Sequence, residues 1–134
     1  MKETTYTFSQ DHDPTLAGRE YRAYETAAAG LLVVDFGEEG AASLTHAASG
    51  IALVHGDLGK RPEELGKIAG ALGGLPMDWT RDAREICSQA AQLDDLALRI
   101  FLLLVYGARR LSHAELDARR LGIAKRAASL EKSR

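Results

Sequence analysis

The first thirty residues show two patterns of hydrophobic positions. Residues 4–8 alternate threonine with aromatic residues, which is typical of a half-buried strand. Asp13 and Pro14 can start a helix, since Asp caps helix N-termini and Pro fits the first turn. Apolar residues then recur at the spacing of one helix face: Ala17, Tyr21, Tyr24 and Ala28. We therefore predict a strand over 4–8 and a helix over 14–28, which ends before Gly30.

Two short apolar runs in the next section predict buried strands. Residues 31–36 and 51–55 are largely aliphatic and bounded by glycines, which favours strands covered on both faces. The connecting residues 37–50 are numerous enough for a crossover helix, which would make the two strands parallel. A hairpin in which residues 43–46 are extended is the competing interpretation. We predict the crossover helix.

Proline, glycine and apolar spacing predict two further helices. The first begins at Pro62, is followed by acidic residues that suit a helix N-terminus, and ends at Gly73. The second covers roughly residues 81–91, with Thr80 as its cap. Its buried face is expected to carry Ala83, Ile86, Cys87 and Ala90. Because no strand signal follows Pro76, a helical half is expected to begin there.

Two more helices are predicted towards the C-terminus. One starts at Asp94 or its neighbour and ends at Gly107, and residues 100–106 within it are apolar nearly all round, so we expect it at the centre of the core. The other starts at a capping box over residues 112–115 and runs to about Leu130. Its apolar residues recur every seven positions: Leu116, Ile123 and Leu130.

Together these elements predict an α/β fold. Residues 1–75 are expected to form a small parallel or mixed three-stranded sheet with its helices. Residues 76–134 are expected to form a helical half around a buried central helix. The chain has 134 residues and shows no repeat or long linker, so one domain is expected.

Composition excludes several classes of protein. Hydrophobic residues make up 46% and charged residues 27%, which is typical of a globular protein. The longest apolar run, 100–106, is far shorter than the roughly 18 residues of a membrane span, and residues 1–4 lack the apolar stretch of a signal peptide. The single cysteine, Cys87, excludes an intrachain disulfide and a zinc cluster built on cysteines. We therefore expect a reduced, cytoplasmic protein that does not associate with membranes.

Candidate ligand-binding residues follow the two apolar strands. In parallel sheets, ligands bind beyond the carboxyl ends of the strands, which here carry Asp35, His55 and Asp57. Lys60 and the amides of the following helix N-terminus can hold a phosphate or carboxylate, although the glycine spacing is not that of a Walker loop. A His–Asp pair can perform acid–base chemistry. Turn formation and capping explain the same residues without a ligand.

Other reactive residues lack the spacing of known motifs. Residues 11–13 (Asp-His-Asp) point in successive directions and do not match a metal-binding pattern, so turn and capping roles explain them. His46 and His113 stand alone and are interpreted as solvated. Ser43 and Ser49 have no Gly-x-Ser-x-Gly setting. We therefore predict no catalytic residues, no metal and no cofactor.

Charge is distributed unevenly along the chain. Residues 108–134 carry a net charge of +5, whereas the first 107 residues carry −7. Such asymmetry predicts a surface for an acidic partner or for nucleic acid, with a solvated outer face as the plainer interpretation. We assign this cationic surface to six residues: Arg109, Arg110, Arg119, Arg120, Lys125 and Arg126.

Residues 111–116 and 120–123 resemble the start of a helix-turn-helix in bacterial regulators. Ala118 and Gly122 keep the Ala-x-x-x-Gly spacing of that motif, and the resemblance implies DNA binding. Asp117 departs from the pattern because it occupies a position that the motif buries. The seven-residue apolar spacing favours one continuous helix, and we predict that helix.

The function predicted first is a non-enzymatic binding or regulatory protein. It would act through protein–protein contacts and inhibit or adapt a larger partner, because no catalytic constellation is found and the charge is divided. The expected partner has an acidic surface or is a second copy in a homodimer. The second prediction is a nucleic-acid-binding protein that uses the six cations. The third is a small-ligand or anion-handling enzyme at Asp35, His55, Asp57 and Lys60.

Overall fold

The computed structural model describes residues 1–9, 14–37, 41–55 and 61–132. Within these ranges the chain forms five strands followed by four helices. The strands are β1 (Glu3–Thr7), β2 (Glu20–Glu25), β3 (Leu31–Asp35), β4 (Ala42–His46) and β5 (Ile51–His55). The helices are α1 (Pro62–Gly73), α2 (Ala83–Ala91), α3 (Asp95–Tyr106) and α4 (His113–Lys132). The fold is an α+β mix, with the sheet in the N-terminal half and the helices in the C-terminal half.

The sheet is a meander in which each strand pairs with the next and every pair is antiparallel. Strands predicted over 4–8, 31–36 and 51–55 are confirmed. The three-stranded parallel or mixed sheet is wrong, because the chain has two strands where helices were predicted. Strand β2 lies within the region predicted as a helix over 14–28, and no helix forms there. Strand β4 replaces the crossover helix, as the competing hairpin interpretation required.

The apolar residues around strand β2 fit both the two-residue period of a strand and the roughly 3.6-residue period of a helix. Its Ala23 is fully buried on one face of the sheet, whereas Tyr24 packs against the cluster on the other face. Gly30, predicted to end a helix, instead lies in the β2–β3 turn with φ of +96°. Thr26 stabilises this turn, since its hydroxyl accepts from the Ala28 N–H and lies 2.8 Å from the Leu31 carbonyl.

Both faces of the sheet are covered. The larger cluster joins the helices to one face through residues such as Val33 and Leu44, and a smaller one contains Phe8 and Val34 on the opposite face. The hydroxyl of Tyr6, on β1, donates to the carbonyl of Ala47 just beyond β4, at 2.6 Å. The sheet therefore curls over the smaller cluster. This curl explains how an antiparallel β3 is buried on both faces.

The helices predicted in the C-terminal half are confirmed, with one change of cap. Asp82 rather than Thr80 caps α2, and Asp94 caps α3 through its side chain. At α4, the Ser112 hydroxyl accepts from the Glu115 N–H while the Glu115 carboxylate accepts from the Ser112 N–H, both at 3.1 Å. Helix α4 is continuous, so the turn of a helix-turn-helix is not formed within it.

Candidate functional site

The residues predicted to form a small-molecule site are only partly brought together. Asp35 and His55 lie at the same end of the sheet, because β3 and β5 run in the same direction on either side of β4. Two strand spacings place their backbones roughly 10 Å apart. The Asp35 carboxylate accepts from the Gly37 N–H at 2.8 Å, which is a turn contact. Asp57 and Lys60 lie outside the described residues.

Arg120, on α4, contacts both the end of α2 and the start of α3. Its guanidinium donates to the carbonyls of Ala91, at 2.8 Å, and Leu93, and forms an ion pair of 2.8 Å with Asp95. Helix α2 has no basic residue in its own last turn. Arg120 therefore provides, from α4, the cation and donors that the C-terminal end of a helix requires.

The other predicted cations lie in different surroundings. Arg126 lines a pocket beside Cys87, whereas Arg109 and Arg110 are exposed in the segment between α3 and α4. Arg119 and Lys125 are exposed on α4. Of these six residues, Arg120 is therefore engaged in contacts within the protein, whereas the other five, Arg126 included, are exposed.

Helix α3 carries an exposed apolar stripe that we call the α3 face. It consists of Leu96, Ile100 and Leu103, whose exposed fractions are 70%, 39% and 42%. These residues recur at i, i+4 and i+7 and therefore share one side of the helix. The opposite side packs into the core through Leu98, Phe101 and Leu102. The helix predicted at the centre of the core therefore contributes to the core along one side only, and its other side is exposed.

Arginines border the α3 face. Arg99, Arg109 and Arg110 line a cleft of about 310 Å³ together with Leu103. Arg99 also donates to the carbonyl of Leu111 at 2.6 Å, which fixes its side chain against the chain segment that precedes α4. An apolar stripe with cations along its edge is suited to an amphipathic, acidic partner.

His46 differs most from what the sequence predicts. It was predicted to be solvated, yet it is 2% exposed. Its Nε2 lies 2.9 Å from the Trp79 carbonyl, which can only accept, so Nε2 carries the proton and Nδ1 accepts from the Ser49 hydroxyl at 2.7 Å. Burial lowers its pKa, although nearby carbonyls and Asp82 oppose this. A neutral His46 thus connects the sheet to the segment between α1 and α2.

Comparisons with models of known protein families, with curated proteins and with solved structures find no match to this chain. Among the described residues, no three or more His, Cys, Asp or Glu side chains are grouped to hold a metal ion. No helix in the described part of the chain is both long enough and apolar enough to cross a membrane.

Proposed function

We propose that this is a non-enzymatic binding protein whose α3 face docks an acidic, amphipathic segment of a partner protein. The exposed Leu96, Ile100 and Leu103 carry this proposal, because a contiguous apolar stripe on a surface helix is a common mark of an interaction site. Recognition between helices uses this i, i+4, i+7 spacing of anchors. A partner helix lying along α3 would cover all three residues together.

The chemistry of the partner follows from the charges beside the stripe. Arg99, Arg109 and Arg110 line the same cleft as Leu103, so acidic residues flanking the apolar face of the partner would be attracted and aligned. A nucleic acid fits less well. Arg120 is engaged by helix ends, which removes one of the six cations that phosphate binding would use.

Affinity capture with matched variants tests the proposal. The immobilised protein is compared with a Leu96→Ser, Leu103→Ser double variant and with Leu121→Ser, which alters an exposed leucine on α4 that is 55% exposed. We expect the wild type and the Leu121→Ser variant to capture a partner protein that the double variant does not capture. Circular dichroism of each variant verifies that all three remain folded.

The proposal is contradicted if the wild type and the double variant capture the same set of proteins. A homodimer is distinguished by light scattering. If the wild type is a dimer and the double variant a monomer, the occupant of the α3 face is a second copy, and the proposed acidic partner is wrong.

A further inference from the structure

A second concave site lies on the other side of α3 from the α3 face. It is a pocket of about 330 Å³ between β5, α2, α3 and α4, which we call the Cys87 pocket. This volume falls at the lower end of the roughly 300–1,000 Å³ that is typical of small-molecule sites. Its walls are mainly apolar and include Leu53, Ile86, Phe101, Val105 and Ile123.

Few polar groups reach this pocket. The nitrogens of His46, which also lines it, are engaged by Ser49 and by the Trp79 carbonyl. Among the pocket-lining residues in the described part of the chain, only Arg126 has a side chain that stays charged throughout the ordinary pH range. It lines the pocket together with Cys87 and lies near enough to lower the pKa of that thiol. The pocket therefore combines an apolar wall with one cation.

The thiol beside Arg126 does not repel an anion. Burial raises the pKa of Cys87, and Arg126 offsets this only in part. At neutral pH Cys87 is therefore a neutral, weakly donating group. Since Arg126 is exposed on α4 and its guanidinium presents several donors in one plane, it can pair with a carboxylate at the pocket.

We propose that the Cys87 pocket binds a small apolar anion, with its hydrocarbon part against Ile86, Phe101 and Ile123 and its carboxylate on Arg126. This site is independent of the proposed docking of a partner. The α3 face is on the outside of the helix, whereas Phe101 and Val105 reach the pocket from the inside. Either proposal can therefore fail alone.

The single cysteine of the chain allows a direct test by alkylation. Octanoate and 1-octanol serve as probes, because they share a hydrocarbon chain and differ in charge. The rate at which N-ethylmaleimide modifies Cys87 is measured by mass spectrometry with and without each probe. The variants are Arg126→Met, which removes the charge, and Arg119→Met, which makes the same change at an exposed site on α4 outside the lining residues.

We expect octanoate to slow alkylation of the wild type and of Arg119→Met. The concentration for half protection should rise about tenfold in Arg126→Met, which corresponds to the loss of one charge-assisted hydrogen bond. Because each variant is compared with itself, any effect of Arg126 on the intrinsic reactivity of Cys87 cancels. Octanol should protect Cys87 from alkylation equally well in Arg126→Met and in the wild type.

Three results would overturn the proposal. The first is an absence of protection by octanoate up to its solubility limit. The second is equal protection of Arg126→Met and the wild type by octanoate. The third is stronger protection of the wild type by octanol than by octanoate, which would mean that the pocket prefers the neutral molecule to the anion.

Discussion

Replacing Arg120 with methionine tests how the helical half is assembled. Methionine keeps the length of the aliphatic stem and removes the guanidinium, so the packing of α4 on its neighbours is largely preserved. The carbonyls of Ala91 and Leu93, at the end of α2, lose their charged donor, and Asp95 loses its ion-pair partner.

The magnitude follows from the exposure of the groups involved. The Arg120 side chain is 26% exposed and that of Asp95 is 60% exposed, so the ion pair itself contributes less than about 1 kcal/mol. A hydrogen bond from a charged donor contributes about 1.5–3 kcal/mol. The two carbonyls share one guanidinium, so their contributions are not additive. We expect Arg120→Met to lower the free energy of unfolding by about 2–4 kcal/mol.

Urea denaturation followed by circular dichroism measures this loss. Arg119→Met is the matched control, because Arg119 is the exposed neighbour on the same helix and should change the free energy of unfolding by less than about 0.5 kcal/mol. The Asp95→Asn variant isolates the ion pair and should cost no more than about 1 kcal/mol. If Arg120→Met proves as stable as Arg119→Met, Arg120 does not connect α2 to α4 in the way described.

Three further predictions concern stability. Gly30→Ala should cost about 2–4 kcal/mol in urea denaturation, since φ is +96° and a Cβ would lie 2.3 Å from the Trp79 carbonyl oxygen; a neutral effect would contradict this. Because the His46 pKa is lowered, the unfolded chain binds a proton below about pH 6.5 before the folded protein does, so stability should fall as pH falls. His46→Gln should flatten that fall in denaturation curves, and an unchanged slope would refute the reasoning. Ser112→Ala should lower the melting temperature through a loss of about 1 kcal/mol, and an unaltered melting temperature would rule out the capping box.

The helices could be predicted from local signals, whereas the sheet could not. Pro62, Asp94, Gly107 and the capping box at Ser112 act within a turn of the helix end that they mark, so the sequence contains the whole interaction. The topology of the sheet depends on contacts between distant residues. The hydrogen bond between Tyr6 and Ala47 reflects the curl of the sheet that buries β3. No local sequence pattern around Leu31 indicates that curl.

The mistaken helix over 14–28 has a physical cause. Residues 20–23 alternate polar with apolar residues, but the tyrosines of β2 lie on opposite faces of the sheet, so the alternation breaks at Tyr24. Tyr21 and Tyr24 are also three residues apart, which matches a helix face. Only the pairing with β1 and β3 decides between the two periods.

The candidate site was hidden for a related reason. Residues 100–106 are apolar throughout, so the sequence gives no polar side that would mark which face of α3 is outside. Arg120 appeared to be one of several surface cations because its partners, Ala91 and Leu93, are backbone carbonyls. The available signal was the end of α2, where neither a glycine nor a basic residue terminates the helix.

The most direct test of the central claim is the hydrogen-exchange footprint of the complex with the captured partner. Amide exchange is measured by mass spectrometry for the free protein and for the complex. Docking on the α3 face predicts slower exchange over 95–106 and over 107–111, with β1 and β2 unchanged. Protection confined to the strands, with exchange in α3 unaltered, would contradict the claim.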